Sequence, residues 1–211
     1  MTQPLHTPGG PAALLAVDTA TPFLTLALCA LTGDAPRFAL AERPLTLVEE
    51  VGRGHAERLP GALQDLFARF GPASLRVLAC GTGPGSYTGV RVGASLSMGL
   101  ALASRAALVG IPTLEAIAAG QGDGLMAPAL DARKGSVFSA VYSIRSGRVA
   151  ETLQERAKRD LNDFTLSLPE GARLILDAPP DPLALARLAL NRLAADPALD
   201  SPDAPLDLEY L

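Results

Sequence analysis

Two acids close apolar runs and stand where chemistry would begin. Asp18 ends Leu14-Leu15-Ala16-Val17 and Asp131 ends Ala129-Leu130. A carboxylate at the end of a buried strand is where kinases of the α/β class hold phosphate and metal. The competing reading is a turn aspartate bonded to its own backbone. That reading is favoured here, because residues 145–211 show no glycine pair of the kind that seats an adenosine. Between the acids lies Gly81-Thr82-Gly83-Pro84-Gly85-Ser86, a loop after an apolar run and before a helix. Glycines let the backbone turn sharply and approach a ligand. The helix start offers free N–H groups and the positive end of a dipole. The Lys-Ser/Thr ending of a P-loop is missing, and a tight turn with Thr88 as N-cap is the plainer alternative. Asp18, Thr19, Gly83, Gly85, Ser86 and Asp131 are therefore read as a vestigial nucleotide or anion site.

No other chemistry assembles. His55 is the only histidine in the body of the chain, the other being His6. One histidine makes neither a metal site nor a nucleophile–base–acid set. No catalytic residue, no metal and no cofactor of its own are expected. Neither ATP hydrolysis nor protease activity above background is expected of the isolated protein. Cys29 and Cys80 each sit inside an apolar run and read as buried, reduced thiols.

Small residues recur where a helix is expected. Gly89, Gly93, Ser97 and Ala101 fall every four residues, and Ala94, Ser95, Gly99 and Ala103 make nearly the whole surface small. Each helical glycine costs roughly 1 kcal/mol against alanine, so close packing must offset it. A preceding helix from about His55 to Phe70 carries Leu59, Leu63 and Leu66 on one face. His55, Leu59, Leu63, Leu66, Gly89, Gly93, Ser97 and Ala101 are expected to form one association surface. Burial of a single leucine is worth roughly 1.5–3 kcal/mol. Gly93→Leu then breaks partner binding if the residue faces outward, and misfolds the chain if it packs on the sheet.

The elements that position these residues alternate. Leu14–Asp18, Phe23–Cys29 and Arg37–Glu42 read as a meander of strands. A helix ending at Gly71-Pro72 follows, with Pro60 expected to bend or restart its first turn. Next come a strand at Leu75–Cys80, the glycine loop, a helix at about Thr88–Ser104, a strand at Ala107–Ile111 and a helix at Pro112–Ala119. The plan then recurs: Ala129-Leu130-Asp131-Ala132-Arg133 resembles Ala16-Val17-Asp18-Thr19-Ala20, and Ser136–Tyr142 alternates. Arg173–Asp177 is one more strand and Pro182–Ala194 one more helix, after which Leu206, Leu208 and Leu211 are expected to dock back. This predicts an α/β protein of the actin-like ATPase type, two ribonuclease-H-like halves with the second reduced. The bounds are a disordered tail at 1–12, a first half at 13–111 and a second at 112–211.

With 211 residues, 48% hydrophobic and 19% charged, the chain can build a sizeable core. A net charge of −4 argues against a strong nucleic-acid grip by the lone chain. Residues 1–12 lack the apolar stretch of a signal peptide, and no run is long enough to span a bilayer. A soluble cytoplasmic protein is expected.

Five segments together resemble the TsaB (YeaZ-type) family. They are Leu15-Ala16-Val17-Asp18-Thr19-Ala20, His55-Ala56-Glu57-Arg58-Leu59-Pro60, the stretch from Gly83 to Gly93, Gly110-Ile111-Pro112-Thr113-Leu114, and Asp131–Gly135 with Val137-Phe138. The resemblance covers about residues 13–145. Ser136 stands where the family often has Glu, and Pro205–Leu211 matches the usual Tyr-Leu-Arg ending only loosely. It implies a non-catalytic subunit with a decayed nucleotide site, pairing through a helix bundle with the catalytic paralogue TsaD. It implies work alongside the ATPase TsaE in placing a threonylcarbamoyl group on the adenosine beside the anticodon of tRNA. ATP and Mg would be used by the partner complex and tRNA would be met only through it. Alone, the same helical face would pair two copies of the chain. The competing function is a small-molecule kinase or ATPase of the same fold.

Overall fold

The computed structural model describes residues 7–202 and 205–209. Of the segment expected to be a disordered tail, residues 1–6 lie outside the described residues, and residues 7–12 are held. The Thr7 amide donates to the Ala73 carbonyl (2.6 Å), the Ser74 amide donates to that of Pro11 (2.8 Å), and Ala12 already belongs to a strand.

The first sheet contains β1 (Ala12–Asp18), β2 (Phe23–Thr32), β3 (Ala39–Leu40), β4 (Leu45–Glu50), β5 (Ser74–Gly81) and β6 (Ala107–Ile111). β1 lies between β2, antiparallel, and β5, parallel; β6 continues the parallel side. β2 pairs along Phe23–Leu28 with β4 and at Leu31–Thr32 with β3. The expected third strand at Arg37–Glu42 is thus only the two-residue β3. The long third strand is β4, whose Leu45 and Leu47 alternate with the exposed Thr46 and Val48.

β1, β2 and β5 are apolar on both faces because both are covered. Leu15, Val17, Leu26 and Leu78 pack beneath α1 (His55–Phe70) and α2 (Tyr87–Ser104). Leu14, Ala16, Ala27 and Ala79 pack against α5 (Pro182–Ala195), whose Ala184, Ala186 and Ala189 let it come close. α1 runs through Pro60 without ending. Cys80 belongs to the first cluster and Cys29 to the second, on opposite sides of the sheet. Burial pushes their thiols up to about 12 and about 11, so both stay protonated and free.

The second sheet holds β7 (Gly124–Asp131), β8 (Ser136–Arg145), β9 (Arg148–Asp160) and β10 (Arg173–Leu176) in the order β10-β7-β8-β9. β7–β8 and β8–β9 are antiparallel and β10–β7 parallel. That repeats β5-β1-β2-β4 of the first sheet, so the duplication is real at the level of topology. The reduction is equally clear. No fifth strand follows β10 among the described residues, and α4 (Leu161–Leu166) has six residues where α1 has sixteen. The link between halves is α3 (Thr113–Ala119), buried along its whole length. α5 comes late in the chain yet covers the first sheet, so the halves share a layer. β9 escapes sequence reading because its face residues are mostly charged, as suits an edge strand.

Candidate functional site

Asp18 sits at the C-terminal end of β1 and is fully buried. Its Oδ1 accepts from the Ala20 amide (2.8 Å) and its Oδ2 from the Thr113 hydroxyl (2.7 Å). A Cβ at Gly81 would fall on the Asp18 carboxylate, so the absence of that side chain is what makes room for the acid. Burial lifts the carboxyl to about 6, while the Ala20 amide and Thr113 hydroxyl pull it down. This acid is sealed behind the loop and is aimed at no open space.

The glycine loop is closed in the same way. The Thr82 amide donates to Ile111 C=O (2.9 Å), the Gly83 amide to Thr113 Oγ1 (3.2 Å) and the Ser86 amide to Ala20 C=O (2.7 Å). Ser86, not Thr88, caps α2, its Oγ accepting from the Gly89 amide at 3.2 Å. Gly85 packs on Ala20 so closely that a Cβ would strike its carbonyl oxygen. Four amides that a phosphate would need are therefore taken within the chain. Thr19 serves the helix: its hydroxyl donates to Gly89 C=O (2.7 Å) and accepts from the Gly93 amide (3.0 Å).

A cleft of about 1030 Å³ opens between the halves, with Gly85, Ser86, Tyr87 and Thr88 on one wall and Asp131, Arg133 and Asp177 on the other. Of the six residues proposed as an anion site, Gly85, Ser86 and Asp131 line it; Asp18, Thr19 and Gly83 do not. Asp131 Oδ1 accepts from the Arg133 amide (2.8 Å), and the Asp131 amide donates to Asp177 Oδ1 (2.7 Å). Asp131 thus builds the turn it sits in, and Asp177, just past β10, holds the end of β7. Among the described residues, no three His, Cys, Asp or Glu side chains are placed to hold a metal. His55 is buried beside the cleft, its Nε2 at 3.3 Å from the Phe23 carbonyl oxygen.

The expected association surface requires correction. Leu59, Leu63, Leu66, Gly89, Gly93, Ser97 and Ala101 are all buried, along with His55, inside their own chain. The small residues let α2 settle on the β1–β2 turn, with Thr19 wedged at Gly89 and Gly93. The exposed face of α2 is the opposite one. Tyr87, Met98 and Leu102 are 55%, 53% and 68% exposed, with Arg91 and Ser95 also exposed between them. At roughly 100° per residue this stripe lies on the far side of the helix from Gly93. The Arg91 guanidinium stands 4.3 Å from the centre of the Tyr87 ring. The spacing of Met98 and Leu102 was the available signal, masked by the small residues around them.

Asp18 makes a pH prediction. Its folded pKa, about 6, exceeds its ordinary value of 3.8. The folded chain therefore holds a proton that the unfolded chain releases, and stability from this group falls as pH rises toward about 6. Asp18→Asn removes that loss. The variant is expected to gain on the parent by on the order of 2–3 kcal/mol between about pH 4 and pH 8. Urea unfolding of both chains at the two pH values measures it, and a difference that stays flat refutes it.

Two sheets of one topology, joined by a buried helix around a cleft with an acid at each first-strand end, define an actin-like α/β protein. A family model described as TsaD: tRNA N6-adenosine threonylcarbamoyltransferase matches residues 47–179. Two curated relatives are called tRNA threonylcarbamoyladenosine biosynthesis protein TsaB. The Escherichia coli protein is 34% identical over 135 residues, 61% of this chain and 54% of its own length. The Bacillus subtilis protein is 30% identical over 167 residues, 77% of this chain and 69% of its own. The match thus spans about half the length of the first of these relatives and about two thirds of the second. A solved structure, YeaZ from Pseudomonas aeruginosa, superposes with a TM-score of 0.76 at 26% identity, covering 95% of this chain and all of that one. The chain belongs to the TsaB (YeaZ-type) family.

Proposed function

We propose that this chain is a non-catalytic subunit of the machinery that forms threonylcarbamoyl-adenosine in tRNA. It docks on a TsaD-type catalytic subunit through the outer face of α2 and works alongside a TsaE-type ATPase. The observation that carries the non-catalytic part is the closed glycine loop: the amides of Thr82, Gly83, Ser86 and Gly89 are bonded within the chain. The relatives' names support the pathway. The exposed Tyr87, Met98 and Leu102 support docking, since aromatic and Met side chains are enriched in interface cores. Alone, two copies pair through the same face. ATP, Mg and tRNA are handled by the assembled complex in the cytoplasm. No helix of the described residues is long and apolar enough to cross a membrane.

Reconstitution tests this. TsaD-type and TsaE-type proteins, ATP with Mg, a threonylcarbamoyl donor and unmodified tRNA are combined with and without this chain. Mass spectrometry of the digested tRNA is expected to show the modified nucleoside only when the chain is present. Equal yield without it overturns the proposal, and product from this chain alone overturns its non-catalytic part.

A further inference from the structure

The last described residues, 205–209, belong to no sheet, yet they are tied to both halves of the molecule. Leu206 and Leu208, both half-buried, pack against the core that lies beneath α1 and α2. A Cβ on Gly110 would meet Leu206 Cδ1 at 2.9 Å, so β6 presents bare backbone where the leucine lies. The Glu209 amide donates to Thr82 C=O (2.9 Å), and the Glu209 carbonyl oxygen lies 3.0 Å from where a Cβ on Gly83 would sit. Its carboxylate turns to the second half, where Oε2 accepts from Arg156 Nε on β9 at 2.8 Å.

That contact is part of a four-member charge cluster. Arg156 Nη1 donates to Glu115 Oε1 on α3 (3.1 Å), and Glu115 Oε2 accepts from Arg192 Nη2 on α5 (2.7 Å). Arg192 Nη1 also donates to Gly110 C=O (2.6 Å). Two acids and two guanidiniums thus meet from the 205–209 segment, α3, β9 and α5. The buried Tyr142 hydroxyl lies beside Arg156. A half-buried ion pair is a poor source of stability but a good source of a unique arrangement. The two leucines alone would hold the segment against the core; the charges fix its position along it.

We propose that residues 205–209 form a clasp. Arg156 on the second sheet holds Glu209, and Glu209 holds the Thr82–Gly83 loop from which α2 begins. The bond path continues from that loop. The Thr113 amide donates to Gly83 C=O (2.7 Å), and Thr113 Oγ1 joins the Gly83 amide to Asp18. Through it the second half of the chain sets how firmly the start of α2 is held. This gives the long charged strand β9 a task that no core packing explains. The link to docking rests on the reading of α2 given above.

Glu209→Ala opens the clasp while leaving Glu115 with both of its arginines. Hydrogen exchange followed by mass spectrometry on the full chain is expected to show the Thr82–Gly83 and Thr113 amides exchanging roughly tenfold faster, with β1–β2 peptides unchanged. Glu209→Gln, which still accepts from Arg156, restores most of the protection, and Asp207→Ala, exposed on the same segment, has no effect. Unchanged protection in Glu209→Ala, or equal loosening in Asp207→Ala, overturns the clasp. Affinity for the TsaD-type subunit is expected to fall roughly fivefold in Glu209→Ala, in line with the cost of ordering a loosened element. Faster exchange with undiminished affinity overturns the coupling to α2. If the parent chain does not bind that subunit, the docking reading fails, and the exchange result still decides the clasp.

Discussion

Gly89→Ala is expected to cost the chain about 3 kcal/mol or more of stability, although alanine is the better helix former by roughly 1 kcal/mol. The added Cβ would fall on the carbonyl oxygen of Thr19. That oxygen cannot retreat, because the Thr19 hydroxyl is fastened to α2 at both Gly89 C=O and the Gly93 amide. The neighbouring Asp18 is fixed in turn by Ala20 and Thr113. Moving Thr19 would break this set of buried bonds, each costly to leave unmade. Gly99 on the same helix offers the control, since a Cβ there meets nothing within 4 Å. Gly99→Ala is expected to stabilise by up to about 1 kcal/mol. Chemical denaturation of the two variants measures both. If the two substitutions shift stability in the same direction, the account of α2 given by Thr19 is wrong.

The double variant Met98→Glu with Leu102→Glu is expected to fold like the parent and to lose association with the TsaD-type subunit by more than about a hundredfold. Both side chains are more than half exposed, so folding loses little. Burying each in an interface contributes roughly 1.5–3 kcal/mol, and a carboxylate put there without a partner adds a desolvation penalty of several kcal/mol. Titration calorimetry reads the heterodimer and light scattering reads self-association; both are expected to fail together. Full affinity in a folded double variant would place docking elsewhere. Gly93→Leu now has a different expected outcome from the same experiment. A Cβ at Gly93 would lie 2.5 Å from Thr19 Oγ1, so the variant misfolds, and its loss of binding says nothing about the interface.

Local pattern determined much of this protein. The runs Leu14–Val17 and Val77–Cys80 are apolar at every position, as strands covered on both faces are. Asp18 and Asp131, each followed by a turn, exposed the duplication that the sheet orders bear out. The five motifs from Leu15 to Phe138 were enough to place the family. Three matters lay outside any local pattern. α2 is small or apolar on nearly every side, so composition could not say which face turns inward; that was decided by Thr19, seventy residues away from Gly89. Asp18 and the glycine loop carry residue types suited to phosphate. Their use within the chain depends on Thr113, Ile111 and Gly81, which reach them only through the parallel register of β5 and β6 beside β1. The position of α5 on the back of the first sheet, and of Glu209 against Arg156, joins segments that share no sequence neighbourhood. Side-chain period reports which surfaces want burial; which surfaces meet is set by packing the whole chain at once, and only the tertiary structure holds that answer.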